Sequence, residues 1–328
     1  MESPLDMMDD AAGSVPDVSF VVIGYNEGKH LGACLESVRE CALADDRFEL
    51  IFVDGGSTDD SLRIAKASGA DAILGGDKQR RAAENRNLGL EAARGRYVQF
   101  LDGDMQLAPG WPLHALKILE SHPEVACVSG VLRERRENVF YEALQIDWET
   151  PEGYALYCGG AAMWRRDVLR ELGGWPEDVR YGEEPYLCWR MRNETEYKVY
   201  HLGERMADHD LAYTGFLDYV KRTVRVGETY AEIAERCRNS ADPFWSAEES
   251  SSLRWGMLLV FLFLIMALGP DLFQWVAMLA LAGVLGRKAW QIQQTGRDWE
   301  VSILYALHTY GAKLAIAYGI AKWRWFRA

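Results

Sequence analysis

Short, predominantly apolar runs alternate with amphipathic segments along the first two thirds of the chain. The runs have the length of strands buried on both faces and cover residues 18–23, 48–53, 71–74, 97–101, 125–132, 159–164 and 197–201. Helical periodicity lies between them, and a long amphipathic helix is predicted over 216–238. This alternation predicts an α/β fold with a mostly parallel, doubly wound sheet. Residues 133–153 interrupt it with many charges and aromatics, and we interpret them as an active-site flap or acceptor loop.

The C-terminal part of the chain has a different pattern. Two almost wholly apolar runs, 253–268 and 272–285, flank the turn Gly269-Pro270-Asp271. Each run is shorter than the ~20 residues that cross a bilayer comfortably, so a tight transmembrane hairpin and a re-entrant or interfacial pair both fit. A third segment, 301–321, leads into a strongly basic stretch that a further crossing would place outside, so we expect it to lie along the interface. A soluble helical subdomain or a dimer interface is the alternative.

Charge separates the same two regions. The 328 residues carry a formal net charge of −13, which argues against nucleic acid as the main partner. From residue 251 onward eight Lys or Arg stand against three acids, which gives the tail +5 and the first 250 residues −18. An acidic body with a basic, apolar tail is typical of a soluble domain held at an anionic membrane surface. Basic residues flank the apolar pair on both sides (Arg254, Arg287 and Lys288), which favours a cytoplasmic position for both ends.

Two further features set the cellular context. The six cysteines form no Cys-x-x-Cys pair, which indicates buried free thiols in a reducing compartment. Residues 1–10 are acidic and lack the basic and apolar regions of a secretory signal, so we expect 1–17 to be a disordered lead-in.

The first candidate for chemistry is Asp102-Gly103-Asp104, directly after the predicted strand 97–101. Two carboxylates in this position lie at the carboxyl edge of the sheet, where open α/β sheets bind ligands. Hard oxygen ligands suit Mg²⁺ or Mn²⁺, and such ions commonly bridge to substrate phosphates. An Asp-x-Asp pair also arises in ordinary turns, so the motif alone is a hypothesis.

Four motifs in order resemble family 2 glycosyltransferases. They are Gly-Tyr-Asn-Glu at 24–27, Val-Asp-Gly-Gly-Ser-Thr-Asp at 53–59, Phe-Leu-Asp-Gly-Asp at 100–104 and Gly-Glu-Glu at 182–184. Arg86-Asn87-Leu88-Gly89 and Gly159-Gly160 are further matches. The resemblance covers about residues 18–240. It implies the GT-A fold, with two abutting Rossmann-like halves, and an inverting transfer from a nucleotide-diphosphate sugar.

The resemblance also implies how the donor is held. Tyr25 would stack on the nucleotide base, Glu27 would lie near the ribose, and Asp54 would accept a hydrogen bond from the base. Arg86 would help to hold the diphosphate. Asp54 as a plain turn residue and Arg86 on a solvated helix face remain alternatives. One departure from the family pattern is Ile23-Gly24 before Tyr25, where relatives commonly have Pro-x.

Metal and catalytic roles follow from the same resemblance. Asp102 would approach the ribose and the metal, and Asp104 would bind the Mn²⁺ or Mg²⁺ ion directly. His209, in Ala-Asp-His-Asp, would be a further ligand, with a surface histidine as the alternative. Glu184 would be the base that deprotonates the acceptor hydroxyl, with Glu183 as its rival. Both glutamates could instead only stabilise the N-terminus of a helix.

Trp189 and Arg190, one turn farther along the predicted helix, could line the acceptor site, although core packing explains Trp189 nearly as well. We therefore predict a lead-in over 1–17, a GT-A catalytic domain over 18–240 and a helical membrane-associated region over 241–328. The last contains a hairpin at 253–286 and an interfacial helix at 300–322.

The expected activity is metal-dependent transfer of a sugar to a hydroxyl of a lipid-linked saccharide or glycolipid at the cytoplasmic membrane face, where membrane lipids would be partners. A polyprenyl-phosphate glycosyltransferase is the first alternative, because those enzymes have a similar metal loop and C-terminal membrane helices. A phosphate acceptor is already ionised and needs no base, however, so the Gly-Glu-Glu element favours a hydroxyl acceptor. A non-catalytic membrane scaffold is the alternative from another class.

Overall fold

The computed structural model describes residues 15–41, 43–44, 47–211, 213 and 215–326. Most of the predicted lead-in, residues 1–14, lies outside the described residues. The strands are β1 (Val18–Gly24), β2 (Phe48–Asp54), β3 (Ala72–Gly75), β4 (Tyr97–Asp102), β5 (Gln106–Leu107), β6 (Val125–Glu134), β7 (Gly153–Ala155), β8 (Met163–Arg165) and β9 (Lys198–His209). The helices are α1 (Leu31–Arg39), α2 (Ser61–Ala67), α3 (Ala82–Ala92), α4 (Trp111–Ser121), α5 (Val139–Gln145), α6 (Arg166–Glu171), α7 (Glu183–Glu194), α8 (Phe216–Cys237), α9 (Ser246–Leu268), α10 (Asp271–Gln293) and α11 (Trp299–Trp325).

The centre of the sheet is parallel. β1 lies between β2 and β4, and β3 pairs with the outer side of β2, all in parallel. The register aligns Gly24 with Asp54 and Ile23 with Asp102, so the ends of three neighbouring strands carry their polar residues to one edge. The predicted α/β fold of GT-A type, followed by an apolar helical tail, is confirmed.

Burial on both faces explains why β1 and β2 consist of continuous apolar runs. Alternate residues of a strand point to opposite faces of the sheet. Phe20 and Val22 accordingly pack into the core under α1 and α4, whereas Val21 and Ile23 pack into the core formed with α3, α6 and α7. The six cysteines, all within the described residues, are buried and not disulfide-bonded.

Antiparallel strands complete the sheet, and the sequence pattern did not predict them all. β8 runs antiparallel between β4 and β6 and begins only at Met163, so Gly159 and Gly160 precede the strand that was predicted to contain them. β9 extends eight residues past the predicted end at 201 and pairs with β5, which aligns Gln106 with Asp208. This pairing places Asp104, which precedes β5, close to His209 at the end of β9.

The segment 133–153 is more ordered than the loop we predicted. It contains the end of β6, helix α5, a 3-10 turn at Ile146–Trp148 and the start of β7. Asn138 is the N-cap of α5, and its side chain accepts hydrogen bonds from the amides of Phe140 and Tyr141. The expectation of an irregular segment was wrong, because the short helix is marked in the sequence by little more than its cap. Its role as an active-site flap or acceptor loop stays a prediction.

By its internal contacts the chain divides into two compact units. The first contains the residues up to Arg133 together with Thr150–Asp178 and Glu183–Asp210. The second contains Glu134–Glu149, Val179–Gly182 and the chain from Leu211 onward, and therefore α5 and α8 to α11. The predicted domain boundary after residue 240 stays a prediction; in these contacts α8 belongs with the C-terminal helices.

Within the second unit α8 and α11 cross closely. A Cβ at Gly227 would lie 2.1 Å from the carbonyl oxygen of Ile316, and one at Gly319 would lie 2.0 Å from that of Val224. Both crossing points therefore require glycine. α9 and α10 are each 23 residues long and apolar enough to cross a membrane by length and composition, and most of their surface is exposed. Each helix is longer than its apolar run because it continues into polar sequence, and the choice between a transmembrane hairpin and a re-entrant or interfacial pair stays a prediction.

Candidate active site

The loops that follow β1 and β2 are held together by hydrogen bonds at the carboxyl edge of the sheet. The amide of Asn26 donates to Ser57 Oγ over 2.8 Å, and Asn26 Oδ1 accepts from the amide of Thr58 over 2.8 Å. The amide of Gly28 donates to Asp59 Oδ2 over 2.9 Å. Asn26 has a φ of 58°, a left-handed conformation that asparagine tolerates better than most residues. The two loops thus form one platform beside Tyr25, whose side chain is 45% exposed.

Asp54 lies at the base of this platform and is fully buried. Its Oδ2 accepts hydrogen bonds from the amides of Gly56 and Ser57, at 3.1 and 2.9 Å. Its Oδ1 is buried and has no hydrogen-bond partner among the described residues. A buried acceptor without a donor is costly, and such an atom in a native structure calls for an explanation such as a ligand. The geometry leaves this oxygen available for the base contact predicted for Asp54.

Arg86 stands at the centre of a buried cluster of carboxylates. Its Nη2 donates to Asp102 Oδ1 over 3.1 Å, and its Nη1 donates to Glu183 Oε1 over 3.0 Å and to Glu184 Oε1 over 3.4 Å. The guanidinium carbon lies 4.8 Å from the ring centroid of Trp175. Burial lowers the pKa of Arg86, but the charges of the three carboxylates outweigh it and raise the pKa above its usual value.

This position excludes one of the two interpretations of Arg86. The residue is 2% exposed, so it does not lie on a solvated helix face. Its two terminal nitrogens donate to protein carboxylates, whereas its buried Nε has no hydrogen-bond partner among the described residues. A contact with the diphosphate stays a prediction. The arginine instead links the carboxylate at the end of β4 with the pair at the start of α7.

Glu184 has the properties expected of a base that works near neutral pH. Burial, and after it the charge of Glu183, raises its pKa from 4.5 to about 7, while Arg86 acts in the opposite direction. Both glutamates occupy the first turn of α7, and both contact the same arginine. The structure therefore places Glu183 and Glu184 together, and the choice of Glu184 as the base stays a prediction.

The predicted metal ligands are brought only partly together. His209 Nε2 lies 3.4 Å from Asp104 Oδ2, whereas Asp102 is directed to Arg86. Among the described residues no group of three or more His, Cys, Asp or Glu side chains is arranged to hold an ion. The local charge nevertheless fits a cation: burial first, and then the charges of Asp104, Asp102 and Asp59, raises the pKa of Glu27 to about 7. A carboxylate and an imidazole are suitable ligands for Mn²⁺.

The predicted acceptor residues lie on α7 in different settings. Trp189 is half-buried and stacks on Tyr186, with ring centroids 5.7 Å apart and planes at 7°. Arg190 is occupied by Glu194 through two hydrogen bonds of 2.9 Å. The sequence analysis did not identify Tyr186, although its spacing of three residues from Trp189 on a predicted helix was a usable signal.

Sequence reasoning also missed what supports Arg86. Trp175 was not among the predicted site residues, but its ring packs on the guanidinium, and its backbone is held by Asn87 through hydrogen bonds of 2.7 and 2.9 Å. Gly160 is equally close, since a Cβ there would lie 2.1 Å from Arg86 Nη2. The matches at Arg86-Asn87 and at Gly160 therefore have a shared physical reason in the packing of one guanidinium.

Comparison with known proteins agrees with this fold. The mannosyltransferase PcManGT from Pyrobaculum calidifontis, solved in complex with GDP-Man and Mn²⁺, superposes with a TM-score of 0.68 over 96% of this chain and 89% of its own, at 22% identity. At that identity the likeness shows the fold. Several relatives by sequence are named glycosyltransferases.

Sequence comparison points to one family. Residues 19–173, just under half of the chain, match Glycosyl transferase family 2. A PGL/p-HBAD biosynthesis glycosyltransferase of Mycobacterium bovis is 34% identical over 173 residues, which are 51% of this chain and 66% of the relative. A pre-mycofactocin glycosyltransferase of Mycobacterium tuberculosis is 27% identical over 264 residues, or 74% of this chain and 52% of the relative. Several other curated relatives are matched over only 28 to 41% of their length.

Proposed function

We propose that the protein is a divalent-metal-dependent, inverting glycosyltransferase that moves a sugar from a nucleotide-diphosphate sugar to a hydroxyl group of a lipid-linked saccharide or glycolipid. The observation that carries the proposal is the cluster in which Arg86 joins Asp102 to Glu183 and Glu184, beside Asp104. It combines a carboxylate pair at the end of a central strand with a buried carboxylate of raised pKa.

The donor side is supported by the platform at the carboxyl edge. Tyr25 offers an exposed ring for stacking, and the buried Oδ1 of Asp54 offers an acceptor to a base N–H. Both lie at the ends of neighbouring parallel strands, the usual ligand position in open α/β sheets. The structural neighbour from Pyrobaculum was solved with a nucleotide sugar, which supports the same class of donor here.

The acceptor side is supported by Glu184. A base with a pKa of about 7 is ionised to a large extent at neutral pH and still takes up a proton readily. A carboxylate in this role removes the proton of the acceptor hydroxyl as its oxygen attacks the anomeric carbon. A single displacement with the base opposite the leaving group inverts that carbon. A phosphate acceptor has no such proton to lose, so Glu184 favours the hydroxyl over polyprenyl phosphate.

Asp104 and His209 would hold the ion, and Asp102 would lie beside it. A bound Mn²⁺ or Mg²⁺ supplies Lewis-acid stabilisation of the departing nucleoside diphosphate. The protein's own contribution is to keep the carboxylates apart from bulk water and oriented by Arg86. The Mn²⁺ in the structural neighbour supports this choice of metal.

The membrane setting is supported by α9 and α10, whose large apolar side chains are mostly exposed. Exposed apolar surface of this extent marks an interaction with a membrane or a protein. The flanking basic residues favour the cytoplasmic face, where a nucleotide sugar is available. We expect the full-length chain to fractionate with membranes, and solubility without detergent would refute this part of the proposal.

The test is a donor screen. Purified protein with Mn²⁺ or Mg²⁺ is mixed with a panel of nucleotide sugars, and release of nucleoside diphosphate is recorded with and without membrane lipid extract. Asp104→Asn is measured in parallel with the control Asp60→Asn. The carboxylate of Asp60 forms an ion pair with Arg63 at the protein surface. We expect metal-dependent release from one donor by the wild type and by Asp60→Asn but not by Asp104→Asn.

The alternatives give different results. Stimulation by the lipid extract would support a lipid-linked acceptor, and robust transfer to a soluble sugar without lipid would contradict it. Transfer to polyprenyl phosphate that survives Glu184→Gln would favour the polyprenyl-phosphate alternative. No release from any donor, with no thermal stabilisation by nucleoside diphosphates, would favour a scaffold.

A further inference from the structure

A polar cavity lies wholly within the second unit, and none of its lining residues is among those assigned to donor and base. It has a volume of about 220 Å³ and is formed by α5 with its 3-10 turn, α8 and α11. Four aromatic and three charged or titratable side chains share its wall: Trp148, Tyr213, Tyr219, Tyr230, Asp147, Arg222 and His308. Part of this wall is the segment that we interpreted from sequence as an acceptor loop.

A chain of hydrogen bonds fixes the polar part of the wall. Tyr219 Oη and His308 Nδ1 are 2.7 Å apart, and His308 Nε2 and Asp147 Oδ2 are 2.9 Å apart. Tyr305 Oη donates to Asp147 Oδ1 over 2.7 Å. A neutral imidazole that accepts from Tyr219 and donates to Asp147 satisfies all three contacts. Both ring nitrogens are then in use, so His308 orients its neighbours and has no N–H left for a ligand.

The groups that remain for a ligand are mainly acceptors. Asp147 keeps lone pairs on both carboxylate oxygens, and Tyr219 keeps lone pairs on its hydroxyl. Although burial raises the pKa of Asp147, the bonds from His308 and Tyr305 outweigh it and lower that pKa, so the group is anionic at neutral pH. Arg222 adds a donor, and its guanidinium lies 5.7 Å from the ring centroid of Tyr213.

These properties select the chemistry of a ligand. Several acceptors favour a molecule with several hydroxyl donors, and aromatic walls favour one with an apolar face. The fixed carboxylate of Asp147 disfavours an anion such as phosphate. The cavity volume of about 220 Å³ is sufficient for one sugar ring.

We propose that this cavity is a saccharide-binding subsite that holds one uncharged monosaccharide unit, with Asp147, Tyr219 and Arg222 as its hydrogen-bonding groups. Under the proposed function, on which this assignment rests, the bound monosaccharide is part of the acceptor glycan. The subsite itself is independent of the donor chemistry, because none of its residues belongs to the clusters around Arg86 or Asp54.

The experiment measures sugar binding directly on the full-length protein. The detergent must lack a sugar headgroup, since an alkyl glycoside would compete. Methyl glycosides of glucose, mannose and galactose are tested by saturation-transfer NMR and by tryptophan fluorescence, with inorganic phosphate as the anionic comparison. The variants are Tyr219→Phe and Arg222→Gln, and the matched control is Lys221→Gln, whose exposed side chain pairs with Asp218 on the same helix.

We expect at least one methyl glycoside to bind and inorganic phosphate not to. Each cavity variant should weaken binding about tenfold, the equivalent of one lost hydrogen bond, and the control should not. Arg222 is exposed, so its variant tests the site without risk to folding. Binding of no glycoside, wild-type affinity in both cavity variants, or preferential binding of phosphate would overturn the proposal.

Nucleotide-sugar cleavage is measured on the same preparations to separate the two hypotheses. The cavity variants should cleave the donor like the wild type, because they leave the residues around Arg86 unchanged. A wild type that binds the glycoside through the cavity but cleaves no donor would refute the proposed function and leave the subsite standing. Donor cleavage without any glycoside binding would refute the subsite and leave the proposed function standing.

Discussion

Replacing Arg86 by Gln removes the single guanidinium that three carboxylates share. Asp102, Glu183 and Glu184 would be left without their shared cation, and the packing on Trp175 would be lost. Removing one partner of a buried ion pair typically costs ~3–5 kcal/mol, because the remaining charge is uncompensated. The side chains of these carboxylates are 14–35% exposed, so screening by solvent reduces the expected loss to about 2–3 kcal/mol. At roughly 2–4 °C per kcal/mol for a domain of this size, the melting temperature should fall by about 4–12 °C.

The loss should depend on pH in a defined direction. The pKa of Glu184 is about 7 in the folded protein, against 4.5 ordinarily, and Arg86 holds it down. Without the arginine this pKa rises further, so over a wider range the folded state binds a proton that the unfolded state has released. Stability then falls as pH rises through that range. The deficit of Arg86→Gln should therefore be larger at pH 8.5 than at pH 6.

Thermal unfolding of the full-length protein at these two pH values provides the assay. Arg190→Gln is the control, because it breaks an ion pair with Glu194 on the surface of α7 and should change stability by only about 0.5 kcal/mol. A loss below about 1 kcal/mol for Arg86→Gln, or an equal loss at both pH values, would refute the shared-counterion argument.

The remaining predictions concern turnover and donor binding. Glu184→Gln should retain donor binding but abolish transfer. In the wild type, kcat/KM should decline about tenfold per pH unit below about pH 7, because the base must be ionised. A decline that begins only near pH 4.5 would contradict the assignment of Glu184 as the base. Asp54→Asn should weaken donor binding measured by calorimetry about tenfold or more, since the amide can present an N–H where an acceptor is needed. Gly160→Ala should reduce kcat, because its Cβ would lie 2.1 Å from Arg86 Nη2. Gly159→Ala is the control and should leave kcat unchanged, because a Cβ there would have nothing within 4 Å. Equal effects of the two variants on kcat would show that the guanidinium moves freely.

The fold was largely predictable because its central strands are local signals. β1, β2 and β4 are continuous apolar runs, and each ends at a turn that carries polar residues. The carboxyl edge with Asp54, Asp102 and Asp104 followed from that pattern alone. The antiparallel strands were less predictable, since β5 and β7 are two and three residues long and exist only through pairing with β9.

The electrostatics of the site could not be predicted in the same way. Arg86 contacts residues 16, 97 and 98 positions away in the chain, and no local pattern encodes which of them it reaches. The contacts of this arginine with three protein carboxylates were therefore not predictable, and its contact with the diphosphate stays a prediction. In the C-terminal unit the hydrogen bonds of His308 to Tyr219 and Asp147 span 89 and 161 positions, and they escaped the sequence analysis for the same reason.

The balance of charge at the carboxyl edge connects the two sides of the proposed reaction. The cluster around Arg86 has, among the described residues, this arginine as its buried cation. Four acidic residues lie in or beside it: Glu27, Asp102, Asp104 and Glu184. The excess of negative charge, acting on groups already desolvated, contributes to the raised pKa of both Glu27 and Glu184. A nucleoside diphosphate is itself anionic, so it cannot enter such a site favourably unless positive charge enters with it. A divalent ion held at Asp104 would meet that requirement, which is an argument for metal dependence drawn from this chain's own charges.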